Sequence, residues 1–166
     1  MEKKITVRGF HPGEEQYVAQ LHKTLYTNEY AWGPAFTDYA VDIALKFAAK
    51  ERTEGEELFV ADCDGTPVGC IMLCRGPEKT IGQLRLFAVE AAYRHCGIGS
   101  ALIDALMDEA VRSGYQKLIL WTASPLTAAI RQYERLGFRI TESMENNTWC
   151  TDGSTLQELK MELDLQ

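Results

Sequence analysis

The apolar and polar positions follow two periods along the chain, and each change of period marks an element. Residues 4–7 read as a short strand, broken by Pro12 and Gly13. Over residues 14–26, Tyr17, Val18, Leu21 and Leu25 recur at helical spacing. The aromatic segment that follows contains Tyr26, Glu29, Tyr30, Trp32 and Pro34, and reads as a connection ending in a turn. Residues 37–50 form a second predicted helix, with Tyr39, Ala40, Ile43 and Phe47 on one side. Residues 58–63 and 67–73 are strands joined by a tight Asp64-Gly65 turn. After Gly76-Pro77, residues 81–89 are a further strand.

The next helix is the most regular. Ile98, Leu102, Leu106 and Ala110 recur every four residues, and Ser100, Asp104, Asp108 and Arg112 fall on the wet side. Ser113-Gly114 ends it. Residues 117–122 read as a buried strand. Ser124-Pro125 reads as a cap with proline at the first helical position, opening a helix striped by Leu126, Ala129, Ile130, Tyr133 and Leu136. Gly137 stops it. Residues 138–143 are a strand, 144–153 a loop and 155–163 a last strand. The order β-α-α-β-β-β-α-β-α-β-β, with both hairpins and helical crossovers, predicts an α/β domain with a mixed sheet.

Composition narrows the function. The chain has 166 residues, 46% apolar and 25% charged, and neither linker nor repeat, so residues 1–166 read as one globular domain. No apolar run approaches the roughly 18–20 residues of a membrane span. The charged start does not read as a signal peptide, which favours the cytoplasm. A net charge of −7 argues against broad nucleic-acid binding. Five cysteines without a close C-x-x-C pair, and three histidines, offer no metal-ligand spacing. Cys96 stands apart from the other four, near a predicted helix start where a thiol can gain thiolate character.

That helix start is the candidate site. Arg94, His95, Cys96, Gly97, Ile98, Gly99 and Ser100 join a strand to a helix through two glycines. Such a start presents unpaired N–H groups and the positive end of the helix dipole, which together favour an anion. The Rossmann fingerprint wants a small residue where Leu102 stands, and the Gly-Lys-Ser/Thr of a P-loop is missing. On spacing alone, the glycines could equally serve only a tight turn.

The run from Val89 through Tyr93, Arg94, Gly97 and Gly99 to Leu102 resembles the acyl-CoA motif Gln/Arg-x-x-Gly-x-Gly/Ala of the GNAT superfamily of N-acyltransferases. Tyr133-Glu-Arg-Leu-Gly137-Phe138 resembles that family's second motif, Tyr-x-x-x-Gly-Phe. Leu25-Tyr26, Glu29-Tyr30, Trp32 and Leu120-Trp121-Thr122 are similar to phrases in the GNAT domains fused behind MarR-type regulators.

The resemblance implies a mostly antiparallel sheet flanked by about four helices, with a splayed strand pair at the acyl-CoA site. It implies that backbone N–H groups of His95 through Ser100 hold the CoA pyrophosphate. Backbone groups of Phe87, Ala88 and Val89 would meet pantetheine, and one of them could act as an oxyanion donor. Tyr133 would be the general acid for the leaving thiolate. Acetyl-CoA is the implied donor, an amine the acceptor, no metal is required, and homodimers are frequent among such proteins.

The family's two base positions carry Gln83 and Trp121 here, neither of them a base, and Leu126 stands where many relatives have an asparagine seven residues before the tyrosine. Glu29, beside Tyr26, Tyr30 and Trp32, is the candidate base, with Glu142 and Glu145 behind it. Tyr30 and Trp32 are candidates for shaping the acceptor pocket. The expected activity is acetyl transfer to an amine by direct attack in a ternary complex. The alternative is a non-catalytic acyl-CoA-binding sensor.

Overall fold

The computed structural model describes residues 3–165. Its elements are β1 (Ile5–Gly9), α1 (Glu14–Tyr30), α2 (Pro34–Ala49), β2 (Glu57–Cys63), β3 (Thr66–Arg75) and β4 (Ile81–Val89), then α3 (Ile98–Arg112), β5 (Lys117–Ala123), α4 (Thr127–Leu136), β6 (Arg139–Asn146) and β7 (Leu156–Asp164). A single 3-10 turn, Ala91–Tyr93, lies between β4 and α3. The seven strands form one sheet in the order β1-β2-β3-β4-β5-β7-β6. Only β4 and β5 run parallel; every other pair is antiparallel. The expected mixed, mostly antiparallel sheet with four helices is therefore present.

Local chemistry explains the joints. Asp64 and Gly65 both take positive φ, 52° and 89°, as a two-residue hairpin turn requires. Gly97 at the start of α3 and Gly137 at the end of α4 sit at φ 83° and 105°, where a Cβ would be strained.

Four boundaries differ from the pattern-based reading. Helix α1 continues through Thr27, Asn28 and Glu29 to Tyr30, because Tyr26 and Tyr30 extend its apolar stripe. Trp32 N–H then closes the helix end on Tyr26 O at 3.1 Å. Helix α2 begins at Pro34 rather than Thr37, with proline's missing N–H placed where the helix has no use for one. Thr37 lies inside the first turn and donates to Gly33 O. Ser124 is not a cap: its N–H and Oγ both bond Gln157 of β7, and α4 starts two residues beyond Pro125. The segment 144–146 belongs to β6, paired with β7, instead of the following loop.

Two apolar layers flank the sheet. Leu84, Ile98, Leu102, Leu106, Leu118, Leu120 and Met161 pack between it and α3. Val18, Leu21, Ala44, Phe47, Leu58, Cys70 and Met72 pack between it and the α1–α2 pair. Truncating one of the wholly buried leucines of α3 to alanine would cost about 2–5 kcal/mol. The α1–α2 pair covers β2 to β4 and leaves much of the same face of β5 to β7 open, which positions the site.

Candidate active site

Strand β4 changes character halfway along. Ile81 to Leu84 pair with Lys117 to Leu120 of β5, and there the parallel ladder ends. On its other edge, Arg85 pairs with Met72 but Ala88 pairs with Cys70, so Leu86 and Phe87 together face Ile71. This is a β-bulge, and Leu86 adopts φ 51° to make it. The Cys70 thiol donates to Leu86 O at 3.2 Å and holds the bulge in place. Burial pushes that thiol up to about 12, so it stays protonated and stays a donor.

Beyond the bulge β4 has no ladder to β5. Glu90 N–H bonds Val68 O of β3. By strand alternation the N–H groups of Val89 and Phe87 face the other way, into the gap, while that of Ala88 faces β3. Ala88, Phe87 and Val89 all line the resulting cleft.

The cleft holds about 1130 Å³ and is walled by β4, β5, α1, α2 and α4, with the loop before α3 at one end. His95 and Gly97 in that loop take φ of 63° and 83°. No backbone acceptor among the described residues takes the N–H of His95, Cys96, Gly97, Ile98, Gly99 or Ser100; Ala101 is the first to donate, to Gly97 O at 3.0 Å. Six successive N–H groups are thus left open at a helix start. Arg94, His95, Gly97, Gly99 and Ser100 line the cleft. The Ile98 side chain turns into the core, and the exposed Cys96 thiol, 3.5 Å from Arg94 O, lies outside the lining. A Cβ on Gly99 would stand 3.3 Å from the Phe87 ring, so Gly99 lets the loop close against β4.

Tyr133 lies across from the bulge. Its ring is 6.2 Å from that of Phe87 and 5.8 Å from that of Phe138, which holds it from behind. Burial, with Tyr26 nearby, drives the phenol well above the usual tyrosine range. The hydroxyl is therefore a neutral donor, and Tyr133 lines the cleft.

The opposite end is built from side chains. Tyr26 stacks on Trp32 at 5.2 Å, and Phe36 and Trp149 close on Trp32 at 4.8 and 5.2 Å. Trp32 is 1% exposed, so it packs the wall, while half-buried Tyr30 borders the cleft. Gln83 and Arg85 of β4, Trp121 of β5, and Glu158 and Lys160 of β7 complete this half.

Glu29 does not join them. It lies on α1, and its carboxylate accepts two hydrogen bonds from Arg94, at 2.7 and 2.9 Å, outside the residues that line the cleft. A carboxylate held by a guanidinium in this way is not placed to take a proton from an amine in the cleft. His22, unremarked in the sequence, is on the wall: Nδ1 donates to Val18 O at 2.9 Å, leaving Nε2 buried and unpartnered. Burial lowers its pKa to about 4, which makes it a weak base. Glu142 is ion-paired with Lys160, and neither Glu142 nor Glu145 lines the cleft. Among the described residues no group of three or more His, Cys, Asp or Glu could hold a metal. No described helix is long and apolar enough to cross a membrane.

The family model described as Acetyltransferase (GNAT) family matches residues 16–138, which span both ends of this cleft. The chain belongs to the GNAT family of acetyltransferases. Curated relatives match part of the chain. N-alpha-acetyltransferase 30 of Saccharomyces cerevisiae is 32% identical over 75 residues, 43% of either chain. The uncharacterized N-acetyltransferase MJ1207 of Methanocaldococcus jannaschii is 29% identical over 103 residues, 59% of this chain and 45% of its own. The match thus spans less than half the length of these relatives.

Solved structures extend the likeness of this GNAT chain to nearly all of it. An N-acetyltransferase from Staphylococcus aureus Mu50 superposes with a TM-score of 0.81 at 19% identity, covering 98% and 99% of the two chains. The yncA protein of Salmonella typhimurium, with its cofactor acetyl-CoA, gives 0.75 at 21% identity, covering 98% and 94%. At these identities the likeness is one of fold.

Proposed function

We propose that this GNAT chain moves an acetyl group from acetyl-CoA to an amine by direct attack in a ternary complex. The observation that carries the reading is continuity. One cleft runs from six open N–H groups at the start of α3, through the gap between β4 and β5, to the Tyr133 hydroxyl. A pyrophosphate suits the first, an extended pantetheine the second and a departing sulfur the third. The family match and the acetyl-CoA held by yncA support the same order of parts.

In this reading His95 through Ser100 offer N–H groups to the pyrophosphate, with the dipole of α3 behind them. Arg94 is close enough to share in that charge once Glu29 releases it. The N–H of Phe87 or Val89 stabilises the oxyanion that forms as the amine attacks the thioester carbon. The tetrahedral intermediate then collapses, expelling the CoA thiolate. A thiol titrates near 8.5 and a tyrosine near 10 or above, so full proton transfer from Tyr133 is uphill. Tyr133 therefore acts chiefly by donating a hydrogen bond to the developing thiolate, and the pKa raised by burial keeps it able to do so.

The His22 and Glu158 side chains line the cleft and neither is a strong base: burial lowers His22 to about 4, and the Glu158 carboxylate accepts from Asn146 at 3.0 Å. An amine near 10.4 is about 0.04% neutral at pH 7, and desolvation in an apolar-walled cleft raises that fraction. The proton then leaves through water. The relatives' names include amino-acid acetyltransferase, N-acetylaspartate synthetase and N-alpha-acetyltransferase 30, so they do not single out one acceptor.

The deciding experiment is release of CoA thiol from acetyl-CoA over a panel of small amines, amino acids, peptides and proteins. Turnover with any class supports the reading. Tight acetyl-CoA binding without turnover on the whole panel would replace it by the sensor reading, which the likeness to MarR-linked GNAT domains raises.

A further inference from the structure

The chain has two half-buried arginines among its described residues, and they differ in one respect. Arg8 donates to Asp62 at 2.9 Å and to both oxygens of Glu14 at 2.9 and 2.8 Å. Arg85 makes no hydrogen bond or ion pair with any described residue, although it lines the cleft. Gln83, two residues earlier and on the same face of β4, is also half-buried, lines the cleft and has no side-chain partner among the described residues. Partly buried polar groups ordinarily have partners, because removal from water must be offset.

Their position is informative. The cradle follows Val89, at one end of β4, and the bulge at Leu86 and Phe87 marks where the acyl group would stand. Arg85 and Gln83 lie on the far side of that bulge, away from the end that CoA would fill. Arg85 is two residues from Phe87, about 7 Å along the strand. That separation is within the span of a small amino acid. Trp121, Tyr39 and Pro77 border the same part of the cleft and bring no anion, while Glu158, the one carboxylate lining the cleft among the described residues, sits opposite Ala123 of β5 and accepts from Asn146 at 3.0 Å rather than from Arg85. In a chain of net charge −7, an unpaired guanidinium here is not a general attractor of acids.

We propose that Arg85 binds the carboxylate of the acceptor, so that the acceptor is a free amino acid rather than a neutral amine or a polycation. This rests on the acyltransferase reading above. The guanidinium fork matches a carboxylate through two parallel N–H···O bonds, a geometry a lysine cannot reproduce. Gln83 supplies a neutral amide beside it, able to accept from the incoming amine or to donate to the second carboxylate oxygen. No covalent step is added: Arg85 fixes the acceptor so that its amine faces the thioester.

The test compares matched pairs: each free amino acid, α and ω, against its carboxamide and its decarboxylated amine. Wild-type kcat/KM should favour the acid by about 10–100-fold, the worth of one charge-assisted pair. Arg85→Gln should bring acid and amide to within about 3-fold of each other, acting mainly through KM, while leaving acetyl-CoA affinity unchanged. Arg85→Lys should recover only part of the preference. Equal turnover of acids and amides by wild type, or an acid preference that survives in Arg85→Gln, overturns the proposal. Because the wild-type comparison alone can overturn it, a variant that fails to fold does not protect it. If no amine of any class is acetylated, the transferase reading is what fails. Calorimetric binding of the same amino acids to wild type and Arg85→Gln, with CoA present, then decides the carboxylate site by itself. Loss of at least 10-fold in affinity supports it, and equal affinities overturn it.

Discussion

The two ends of the cleft are made of different material. The end proposed for CoA is backbone: open N–H groups, two residues at positive φ, and a glycine pressed against Phe87. The end proposed for the acceptor is side chain: Tyr30, Gln83, Arg85, Trp121 and Lys160, contributed by α1 and three strands. A backbone site depends on a few residues close in sequence and tolerates exchange of the side chains that merely pass through it. A side-chain site depends on residues far apart in sequence, and a single substitution can redirect it. Substitutions should therefore be tolerated at most side chains of the first end and should alter acceptor choice at the second.

The contrast predicts where damage is greatest. Gly99→Val should lower acetyl-CoA affinity by about 100-fold, since the new side chain meets the Phe87 ring from 3.3 Å and Gln132 from 3.6 Å. The backbone there is ordinary helix, so the domain should still fold. A titration of acetyl-CoA against intrinsic tryptophan fluorescence, with circular dichroism as control, measures both. Wild-type affinity in a folded Gly99→Val would mean that CoA does not pass between α3 and β4.

Tyr133→Phe should follow, with kcat down about 100-fold and acetyl-CoA affinity almost unchanged. The sign of its pH behaviour is also fixed. A raised phenol pKa keeps the donor form through neutral and mildly alkaline solution, so activity should not fall between pH 7 and 10 through this group. Over the same range kcat/KM should rise about tenfold per pH unit while the free amine remains protonated. A loss above pH 8 that vanishes in Tyr133→Phe would show that the phenol ionises and that burial does not govern it.

How much of this was legible follows the same division. The Gly-x-Gly loop and the Tyr-x-x-x-Gly-Phe run are contiguous, so the end of the cleft proposed for CoA could be marked from the chain alone. The gap between β4 and β5 could not be derived from pattern. It needs β4 to pair with β5 for four residues only, and Leu86, an ordinary strand leucine by sequence, to take φ 51°. Arg85 was invisible for a related reason. In an alternating strand it looks like a solvent-facing charge, and only the sheet order shows that its face is closed by α2 and open toward β5. The extension of α1 was hidden by Thr27 and Asn28, weak helix formers that the packing of Tyr26 and Tyr30 carries along. The partner of Glu29 was hidden by distance, since Arg94 is 65 residues away.

That ion pair gives the smallest effect and the sharpest link between the two ends. Glu29 belongs to α1, which walls the acceptor side, and Arg94 belongs to the cradle, so the pair ties one end of the cleft to the other. Both side chains are about one-third exposed, at 29% and 37%, so solvent screens the pair and its worth to stability is at most about 1 kcal/mol. Glu29→Gln should therefore shift Tm by only a few degrees. If Glu29 competes with pyrophosphate for the Arg94 fork, removing its charge should tighten acetyl-CoA binding by about 2- to 5-fold, an effect that shrinks as salt is added. A base at Glu29 makes a different forecast, a large fall in kcat with the alkaline rise retained, since that rise belongs to the amine. An unaltered pH profile together with tighter CoA binding would assign Glu29 to the cradle. A collapsed kcat at unchanged CoA affinity would return it to the acceptor side.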